Sequence, residues 1–260
     1  MKKYLVIGNP IKHSLSPKLH NHWIKENNIN AVYEKQQLNE NDIEGIISEV
    51  RNGKIDGINV TVPFKKSVIP FLDQLTALAK ETQSVNTISK KDNKVVGENT
   101  DVGGFEHSLK HINYNVKNKK IFILGAGGVT PSIILTLKKM GASKIILSNR
   151  TKEKAENLKK MHTDLEIIEW GESTDFNMII NTTSLGLKSD DEIKLNYADI
   201  GKNKLFYDVI YNPSKTKFLL EGEKLGNKIE NGKMMFIYQA QLAFKIWHNI
   251  LPKIDDKLLD

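Results

Sequence analysis

A short apolar run that ends in a glycine-rich turn is the feature that most limits how this chain can fold. Residues 120–124 read Lys-Ile-Phe-Ile-Leu, and Gly-Ala-Gly-Gly follows directly at 125–128. A helical pattern then covers 129–140, and a second apolar run covers 144–148. A strand, a tight turn and a helix that leads into another strand predict a parallel β-α-β unit. The first glycine permits the sharp turn, and the second lets the backbone approach a pyrophosphate at the helix N-terminus.

The third glycine of the G-x-G-x-x-G pattern is missing, because Thr130 and Pro131 occupy the start of the predicted helix. Proline is tolerated in a first helical turn, where its absent N–H would have no helical partner. The turn therefore predicts a dinucleotide site, and a glycine-rich turn that binds nothing is the alternative interpretation.

The end of the second strand distinguishes between two cofactors. NAD-binding folds carry an Asp or Glu there, which accepts hydrogen bonds from the ribose hydroxyl. This strand ends in Asn149-Arg150-Thr151, with Lys152 and Lys154 close behind. This strand end has no carboxylate that would repel a 2′-phosphate, and the planar guanidinium of Arg150 could bind one. We therefore predict NADP, with a solvated Arg150 beside a turn-forming Asn149 as the alternative.

The same alternation of apolar runs and helical patterns continues along the chain, which is typical of α/β proteins. Before residue 101 we predict strands at 4–7, 31–35, 55–62, 87–89 and 95–96, and helices at 17–26, 42–50 and 75–81. After it we predict strands at 120–124, 144–148, 167–169, 178–180 and 205–209, and helices at 129–140 and 235–250. Domain junctions are expected near Asp101 and Gly232. An active site is expected in a cleft between two lobes.

Charge and composition narrow the possible partners. The chain has 38 basic and 31 acidic residues, and only two of the basic residues, Arg51 and Arg150, are arginine. Nucleic-acid-binding proteins usually rely on arginine, so we predict no nucleic-acid partner. The chain has no cysteine, which excludes disulfides, thiolate catalysis and cysteine-ligated metals.

The cellular location and the lack of a metal are predicted from features that the sequence does not contain. The initial apolar run is broken by Gly8-Asn9-Pro10, too early for a signal peptide, and no run approaches the roughly 18 residues of a membrane span. We therefore expect a cytoplasmic protein with no membrane partner. His20 and His22 should diverge on a helix, and His107 and His111 have no third ligand in register, so no metal is predicted.

Polar side chains gather where the first and third predicted strands end. Ser14 and Ser16 lie between a strand and a helix, where both could donate to one anionic or hydroxylated ligand. Capping of the helix that starts at Pro17 is the alternative for Ser16, and no capping role explains Ser14. Asn59 and Thr61 point to one face of a strand, which is either a site or a solvated face.

Lys65 and Asp101 form a plausible proton-handling pair. A lysine can give or take a proton when a carboxylate orients it. The residues alone leave open whether these two side chains meet.

Nine segments, in order and with similar spacing, resemble the shikimate dehydrogenase family. They are G-N-P-I-K-H-S-L-S-P (8–17), N-V-T-V-P-F-K (59–65), V-N-T (85–87), N-T-D-V-G-G-F (99–105), G-A-G-G (125–128), N-R-T (149–151), N-T-T-S-L-G (181–186), Y-D-V-I-Y-N-P (207–213) and Q-A-Q-L-A-F (239–244). The resemblance implies reversible, NADPH-dependent reduction of 3-dehydroshikimate to shikimate, a step of aromatic amino acid biosynthesis.

The resemblance also implies roles for individual residues. Lys65 would exchange the proton at the carbonyl oxygen, and Asp101 would orient it. The substrate would be bound by Ser14, Ser16, Asn59, Thr61, Asn86, Tyr211 and Gln239. The cofactor would be bound by Gly125, Ala126, Gly127, Gly128, Val129, Asn149, Arg150, Thr151, Lys154, Thr183, Val209 and Gly232.

The implied architecture has two lobes. Residues 1–101 would form an α/β substrate-binding domain, and 102–234 an NADP-binding, Rossmann-type domain with a doubly wound parallel sheet. Residues 235–260 would return to the first domain as a C-terminal helix. A monomer and a homodimer are equally compatible with the sequence.

Two other functions stay open. One is a quinate/shikimate dehydrogenase that accepts a saturated ring or NAD. The other is a nucleotide-sensing regulator without turnover, which predicts loss of Lys65 or Asp101, and both are present. The sequence also departs from the family's usual residues at Gln83-Ser84, Thr130-Pro131, Thr182 and Met234.

Overall fold

The computed structural model describes residues 1–255 and divides the chain into two compact units. The first consists of Met1–Phe105 with Ile237–Asp260, and the second of Glu106–Phe236. Residues 256–260 of the predicted C-terminal segment lie outside the described residues. The predicted limits at 101 and 234 stay predictions. In the part that is described, no helix is both long and apolar enough to cross a membrane.

Twenty helices and strands follow one another along the described chain. The first unit begins with β1 (Lys2–Gly8), α1 (Ser16–Glu26), β2 (Ala31–Gln37), α2 (Ile43–Arg51), β3 (Gly57–Val60), β4 (Gln74–Leu75), α3 (Ala77–Thr82), β5 (Thr87–Lys91), β6 (Lys94–Glu98) and the start of α4 (Asp101–His111). The second contains β7 (Lys120–Leu124), α5 (Thr130–Lys139), β8 (Lys144–Ser148), α6 (Lys152–Met161), β9 (Glu166–Ile168), β10 (Met178–Asn181), β11 (Leu205–Asp208), α7 (Lys217–Lys224), β12 (Lys228–Glu230) and the start of α8 (Lys233–His248).

The sheet of the first unit is mixed. Its order is β2-β1-β3-β5-β6-β4, with parallel pairing from β2 to β3 and antiparallel pairing of β3 with β5 and of β5 with β6. Asp92 and Asn93 form the two-residue turn between β5 and β6, and both have positive φ angles. Such a turn can join only antiparallel neighbours. Apolar side chains of the sheet and of α2 form one buried core.

The sheet of the second unit is entirely parallel, as predicted. Its order is β12-β11-β10-β7-β8-β9, so the winding direction reverses between β7 and β10. This is the doubly wound order of Rossmann folds, in which ligands bind beside the carboxyl ends of the strands at the reversal. The loops after β7, β8, β10 and β11 therefore belong to one edge of the sheet.

The sequence pattern did not predict two helices, α4 and α6, and their composition explains why. α6 is largely charged and buries only Ala155 and Leu158, so its apolar period is weak. α4 contains Gly103 and Gly104, which are poor helix formers. A Cβ on Gly103 would lie 2.6 Å from Leu242 of α8, so packing rather than propensity explains this glycine.

Candidate active site

Lys65 and Asp101 meet in the first unit, although 36 residues separate them. Lys65 Nζ donates to Asp101 Oδ2 at 2.6 Å, and both side chains are almost fully buried. Lys65 lies in the turn that follows β3, and Asp101 is the first residue of α4. A carboxylate in the first turn of a helix is stabilised by the helix dipole. The pair is therefore a positioned, largely desolvated ammonium and carboxylate.

Asn86 holds the other side of Asp101. Its Nδ2 lies 3.0 Å from Asp101 Oδ1, 2.8 Å from Thr100 Oγ1 and 3.2 Å from Gln239 Oε1. Its Oδ1 accepts from the backbone N–H of Thr100 at 2.8 Å. Three predicted residues, Asn86, Asp101 and Gln239, are thus joined to Lys65 by one hydrogen-bond network.

The segment Asn99-Thr100-Asp101 places each of its side chains differently. Asn99 Oδ1 accepts from the N–H of Val102 at 3.2 Å, which caps α4, while its Nδ2 donates to Ser84 O at 2.9 Å. Thr100 binds Asn86, and Asp101 binds Lys65. The helix cap and the site are therefore built from three consecutive residues.

The two serines have roles opposite to the expected capping arrangement. α1 begins at Ser16, so Ser16 is not the N-cap, and the cap position Leu15 makes no side-chain cap. Ser14 Oγ instead accepts from the N–H of Ser16 at 3.3 Å. The helix starts one residue earlier than predicted, and Ser14 satisfies the N–H of its first residue through this local hydrogen bond. Within residues 1–255 neither serine hydroxyl donates to an acceptor, so both hydrogens remain available.

Asn59 and Thr61 do not share the predicted environment. Asn59 is buried in β3, where its Oδ1 accepts from Tyr33 at 2.7 Å and its Nδ2 reaches Asn86 O and Thr87 Oγ1, each at 3.1 Å. A solvated face is therefore excluded for Asn59. Thr61 lies just beyond β3 and is half-buried.

Sequence reasoning assigned no role to three members of this network, Tyr33, Thr87 and Thr100. Thr87 and Thr100 stand beside predicted residues in V-N-T and N-T-D, so their motifs already carried the signal. Nothing in the local pattern distinguishes the buried tyrosine of β2 from an ordinary core residue. Tyr211, by contrast, belongs to the second unit, where its ring stacks on Phe236 with centroids 4.5 Å apart.

The glycine turn of the second unit has the geometry of a phosphate cradle. Gly125 has a φ of +109°, and a Cβ there would lie 2.7 Å from both Thr182 Oγ1 and Thr183 Cγ2. Gly127 is exposed, and a Cβ on it would find no atom closer than 3.6 Å. In the described chain the N–H groups of Gly127 and Val129 have no partner. These donors precede α5, where a dinucleotide pyrophosphate would fit.

Asn149 and Arg150, both predicted to recognise the 2′-phosphate of the ribose, have different roles in the structure. Asn149 Oδ1 accepts from the N–H of Ala126 at 3.0 Å, and its Nδ2 donates to Thr151 O at 2.7 Å. Asn149 therefore connects the two loops. Arg150 is exposed, and its side chain makes no hydrogen bond or ion pair within residues 1–255. The same holds for the side chain of Lys154. Two unpaired cations and no carboxylate at the end of β8 suit a 2′-phosphate.

Gly232 and Val209 approach each other closely after β11. A Cβ on Gly232 would lie 2.0 Å from Val209 O, and Gly232 donates its N–H to Ile210 O at 3.0 Å. Only glycine fits this backbone crossing.

The buried carboxylate of Asp208 stabilises the loops after β10 and β11 through hydrogen bonds. Asp208 accepts from Asn181 Nδ2 at 3.0 Å, from Ile210 N at 2.9 Å and from Thr216 Oγ1 at 2.6 Å. Asn181 Oδ1 in turn accepts from Thr183 N at 3.0 Å. Burial raises the pKa of Asp208 to about 6, although the hydrogen bonds act in the opposite direction.

Comparison with known proteins places this geometry in one family. The model of the shikimate dehydrogenase substrate binding domain matches residues 6–88, and the shikimate/quinate 5-dehydrogenase model matches 107–184. A relative from Pelagibacter ubique, named shikimate dehydrogenase (NADP(+)), is 60% identical over 259 residues, which cover 100% of this chain and 98% of the relative.

Solved structures agree in fold. A shikimate dehydrogenase crystal structure from Aquifex aeolicus has a TM-score of 0.90 at 39% identity, covering 99% of this chain and 96% of that one. The enzyme from Thermus thermophilus, solved in complex with NADP(H) and shikimate, has a TM-score of 0.90 at 28% identity and covers 100% and 97%. On the sequence identity and coverage of these matches, this chain belongs to the shikimate dehydrogenase family.

Proposed function

We propose that this chain catalyses the reversible, NADP-dependent interconversion of 3-dehydroshikimate and shikimate. The observation that carries the proposal is the buried Lys65–Asp101 pair at 2.6 Å, in the unit that the substrate-binding model matches. A desolvated ammonium beside a carboxylate is suited to proton exchange with a substrate oxygen. A nucleotide sensor without turnover would have no need of this pair.

Lys65 carries the proton in both directions. During reduction its ammonium protonates the oxygen of the carbonyl that becomes a hydroxyl, and during oxidation its amine takes that proton back. Asp101 positions Lys65 Nζ and balances the charge of the ammonium. Asn86 holds the Asp101 carboxylate in place by donating to its Oδ1 at 3.0 Å. When bound, NADPH would supply the hydride for the carbonyl carbon.

The substrate's carboxylate and hydroxyls find complementary groups in the predicted set. The available hydroxyl hydrogens of Ser14 and Ser16 suit a carboxylate. Tyr211 of the second unit is proposed as a further substrate-binding residue. Amide and hydroxyl groups of the remaining predicted residues suit ring hydroxyls, since they can both donate and accept. Those residues are Asn59, Thr61, Asn86 and Gln239.

The cofactor would be held by residues in and beside the loops after β7, β8, β10 and β11 of the second unit. The unpaired N–H groups of Gly127 and Val129 would bind the pyrophosphate, and Arg150 with Lys154 the 2′-phosphate. Gly125, Ala126, Gly128, Asn149 and Thr151 shape these loops, while Thr183, Val209 and Gly232 would lie on the nicotinamide side.

A matrix of substrate against cofactor tests the proposed function. Purified protein is assayed with shikimate or quinate, each with NADP or NAD. Turnover with shikimate and NADP should exceed the other three combinations at least tenfold in kcat/KM. Comparable rates with quinate and NAD would instead support the relaxed enzyme, and no turnover in any combination would contradict the proposal.

We also propose that the protein is cytoplasmic and acts as a monomer or homodimer. The absence of cysteine supports a reducing compartment. Fractionation of cells and light scattering of the purified chain test the two statements separately.

A further inference from the structure

Two buried threonines lie directly beneath the glycine turn of the second unit. Thr130 begins α5, and Thr182 follows β10; both are almost completely buried. Their hydroxyl oxygens are 2.9 Å apart. Thr130 Oγ1 lies 3.1 Å from Gly125 O and Thr182 Oγ1 lies 3.0 Å from the same carbonyl, so both hydroxyls reach one backbone oxygen. Thr182 Oγ1 also lies 2.9 Å from Leu124 O.

Counting hydrogens shows that the two hydroxyls can replace each other. Each hydroxyl carries one hydrogen, and the contact between the two oxygens uses one of the two. The other hydrogen is left for a backbone carbonyl: that of Thr130 can reach Gly125 O, and that of Thr182 can reach Gly125 O or Leu124 O. Either threonine can therefore supply the hydrogen bond to Gly125 O. Removing one hydroxyl therefore leaves a donor within 3.1 Å of that carbonyl, while removing both takes away both of these donors.

The other end of the same peptide unit is also held. The N–H of Ala126 donates to Asn149 Oδ1 at 3.0 Å. Because a peptide unit is planar, bonds to the carbonyl of Gly125 and to this N–H determine its orientation. Gly127 follows in the next peptide unit; it is exposed, and its N–H has no partner within the described residues.

We propose that Thr130 and Thr182 are a redundant pair of positioning residues, which hold the turn in the conformation that binds the pyrophosphate of NADP. Both hydroxyls bond to backbone and to each other, so they act through the turn. The inference rests on the proposed function, because it assumes that the turn binds this cofactor. Its characteristic consequence is that two single losses are mild and the combined loss is severe.

Valine and serine variants test the pair. Thr130→Val, Thr182→Val and the double variant remove hydroxyls at nearly constant shape, and Thr130→Ser with Thr182→Ser keeps them. We measure NADPH Kd by fluorescence, kcat and KM for NADP, KM for shikimate and the unfolding midpoint. Each single valine variant should raise the NADPH Kd two- to fivefold. The double variant should raise it at least 50-fold, beyond the product of the singles, with the shikimate KM unchanged and the serine variant within twofold.

The outcomes separate a positioning role from a merely structural one. A lower unfolding midpoint with NADPH Kd within twofold in the double valine variant overturns the proposal, as does a single variant that loses as much as the double. Should the double variant not fold, the folded single variants decide: Kd within twofold in both overturns it. Wild-type protein that binds NADPH but does not oxidise shikimate contradicts the proposed function alone, and the Kd ratios still test the pair.

Discussion

Arg51 and Arg150 are the two arginines of the chain, and the structure uses them differently. Arg51 Nη2 donates to Phe71 O at 3.2 Å and to Asp73 Oδ1 at 2.8 Å, so its guanidinium connects α2 to the segment before β4. Arg150 is exposed at the end of β8 and is unpaired within the described residues. The same residue type thus serves structure in one place and is available to a ligand in the other.

Replacing Arg150 by Ala should raise the KM for NADP by roughly 10- to 100-fold, because a charge-assisted contact to the 2′-phosphate is lost. The KM for NAD, which lacks that phosphate, should change less than threefold. Arg51→Ala is the matched control and should lower stability without altering the ratio of the two KM values. Equal effects of Arg150→Ala on both cofactors would remove its role in phosphate recognition.

Lys65 differs from its neighbour Lys66 in burial, and the pair offers a second matched test. Lys65→Met keeps the length of the side chain but removes its proton, so kcat should fall by about 10²- to 10⁴-fold. The KM for shikimate should move only a few-fold, since the loss concerns the transition state. Steady-state kinetics check this, with the exposed Lys66→Met expected to keep wild-type kcat. Near-full turnover of Lys65→Met would show that the proton comes from another group.

At the scale of elements, a close backbone contact positions the chain between β11 and α8 of the second unit. β11 ends at Asp208, α8 begins at Lys233, and the chain between them passes so close to itself that Gly232 contacts the backbone of Val209. Asp208 holds the intervening turn through Ile210 N. The position of this turn depends on a missing side chain and on a buried carboxylate.

Gly232→Ala should therefore displace the turn after β11. The added Cβ would lie 2.0 Å from Val209 O, which the backbone can relieve only by moving. We expect a loss of about 2 kcal/mol or more in the free energy of unfolding and at least a tenfold lower kcat/KM for NADP. Urea denaturation and kinetics measure both. Gly201→Ala, whose Cβ would find no atom closer than 3.9 Å, is the control and should stay within about 0.5 kcal/mol.

At the scale of the whole molecule, one buried group in each unit should respond to acid, and the two contributions have opposite signs. His20 is buried in the first unit, stacked on Tyr33 with centroids 4.2 Å apart, and neither ring nitrogen has a partner within residues 1–255. Burial, with a smaller contribution from His248, lowers the pKa of His20 to about 3. Burial likewise raises the pKa of Asp208 in the second unit to about 6.

Protonation therefore weakens the first unit as pH falls. Above pH 6.5 His20 is neutral in both the folded and unfolded states, and its full contribution is present. Below 6.5 the unfolded chain binds a proton that the folded chain refuses, so stability falls by about 1.4 kcal/mol per pH unit until about pH 3. Asp208 has the opposite sign, because between about pH 4 and 6 its folded carboxyl binds the proton more tightly than the unfolded one.

Hydrogen exchange of the first unit between pH 7 and 4.5 measures the contribution of His20. Protection of β1, β2 and α1 should fall with pH, and His20→Phe, which keeps the stacked ring without a titrating group, should flatten that slope by about one proton. His22→Phe is the control, since His22 lies on the same helix and pairs with Glu26 near the surface. An unchanged slope in His20→Phe would show that other groups cause the acid response.

The sequence by itself determined the first strand, turn, helix and strand of the second unit, and the class of ligand that they bind. β7 and β8 have the predicted bounds, and the glycine turn, α5 and Arg150 follow them within about 30 residues. Such features are contiguous, because an apolar strand, a turn that requires glycine and the start of a helix depend on near neighbours. The order of motifs further predicted the family that the comparisons confirmed.

Only the tertiary structure decided which side chains meet and what each of them does there. The contacts of Lys65 with Asp101 and of Asn86 with Gln239 join residues 36 and 153 positions apart, and they depend on sheet order and on the return of α8. The bond from Ser16 to Ser14 and the shared carbonyl of Thr130 and Thr182 likewise appear in no local pattern. Hydrogen bonds require atoms within about 3 Å, and spacing along a chain does not specify that distance until the fold is formed.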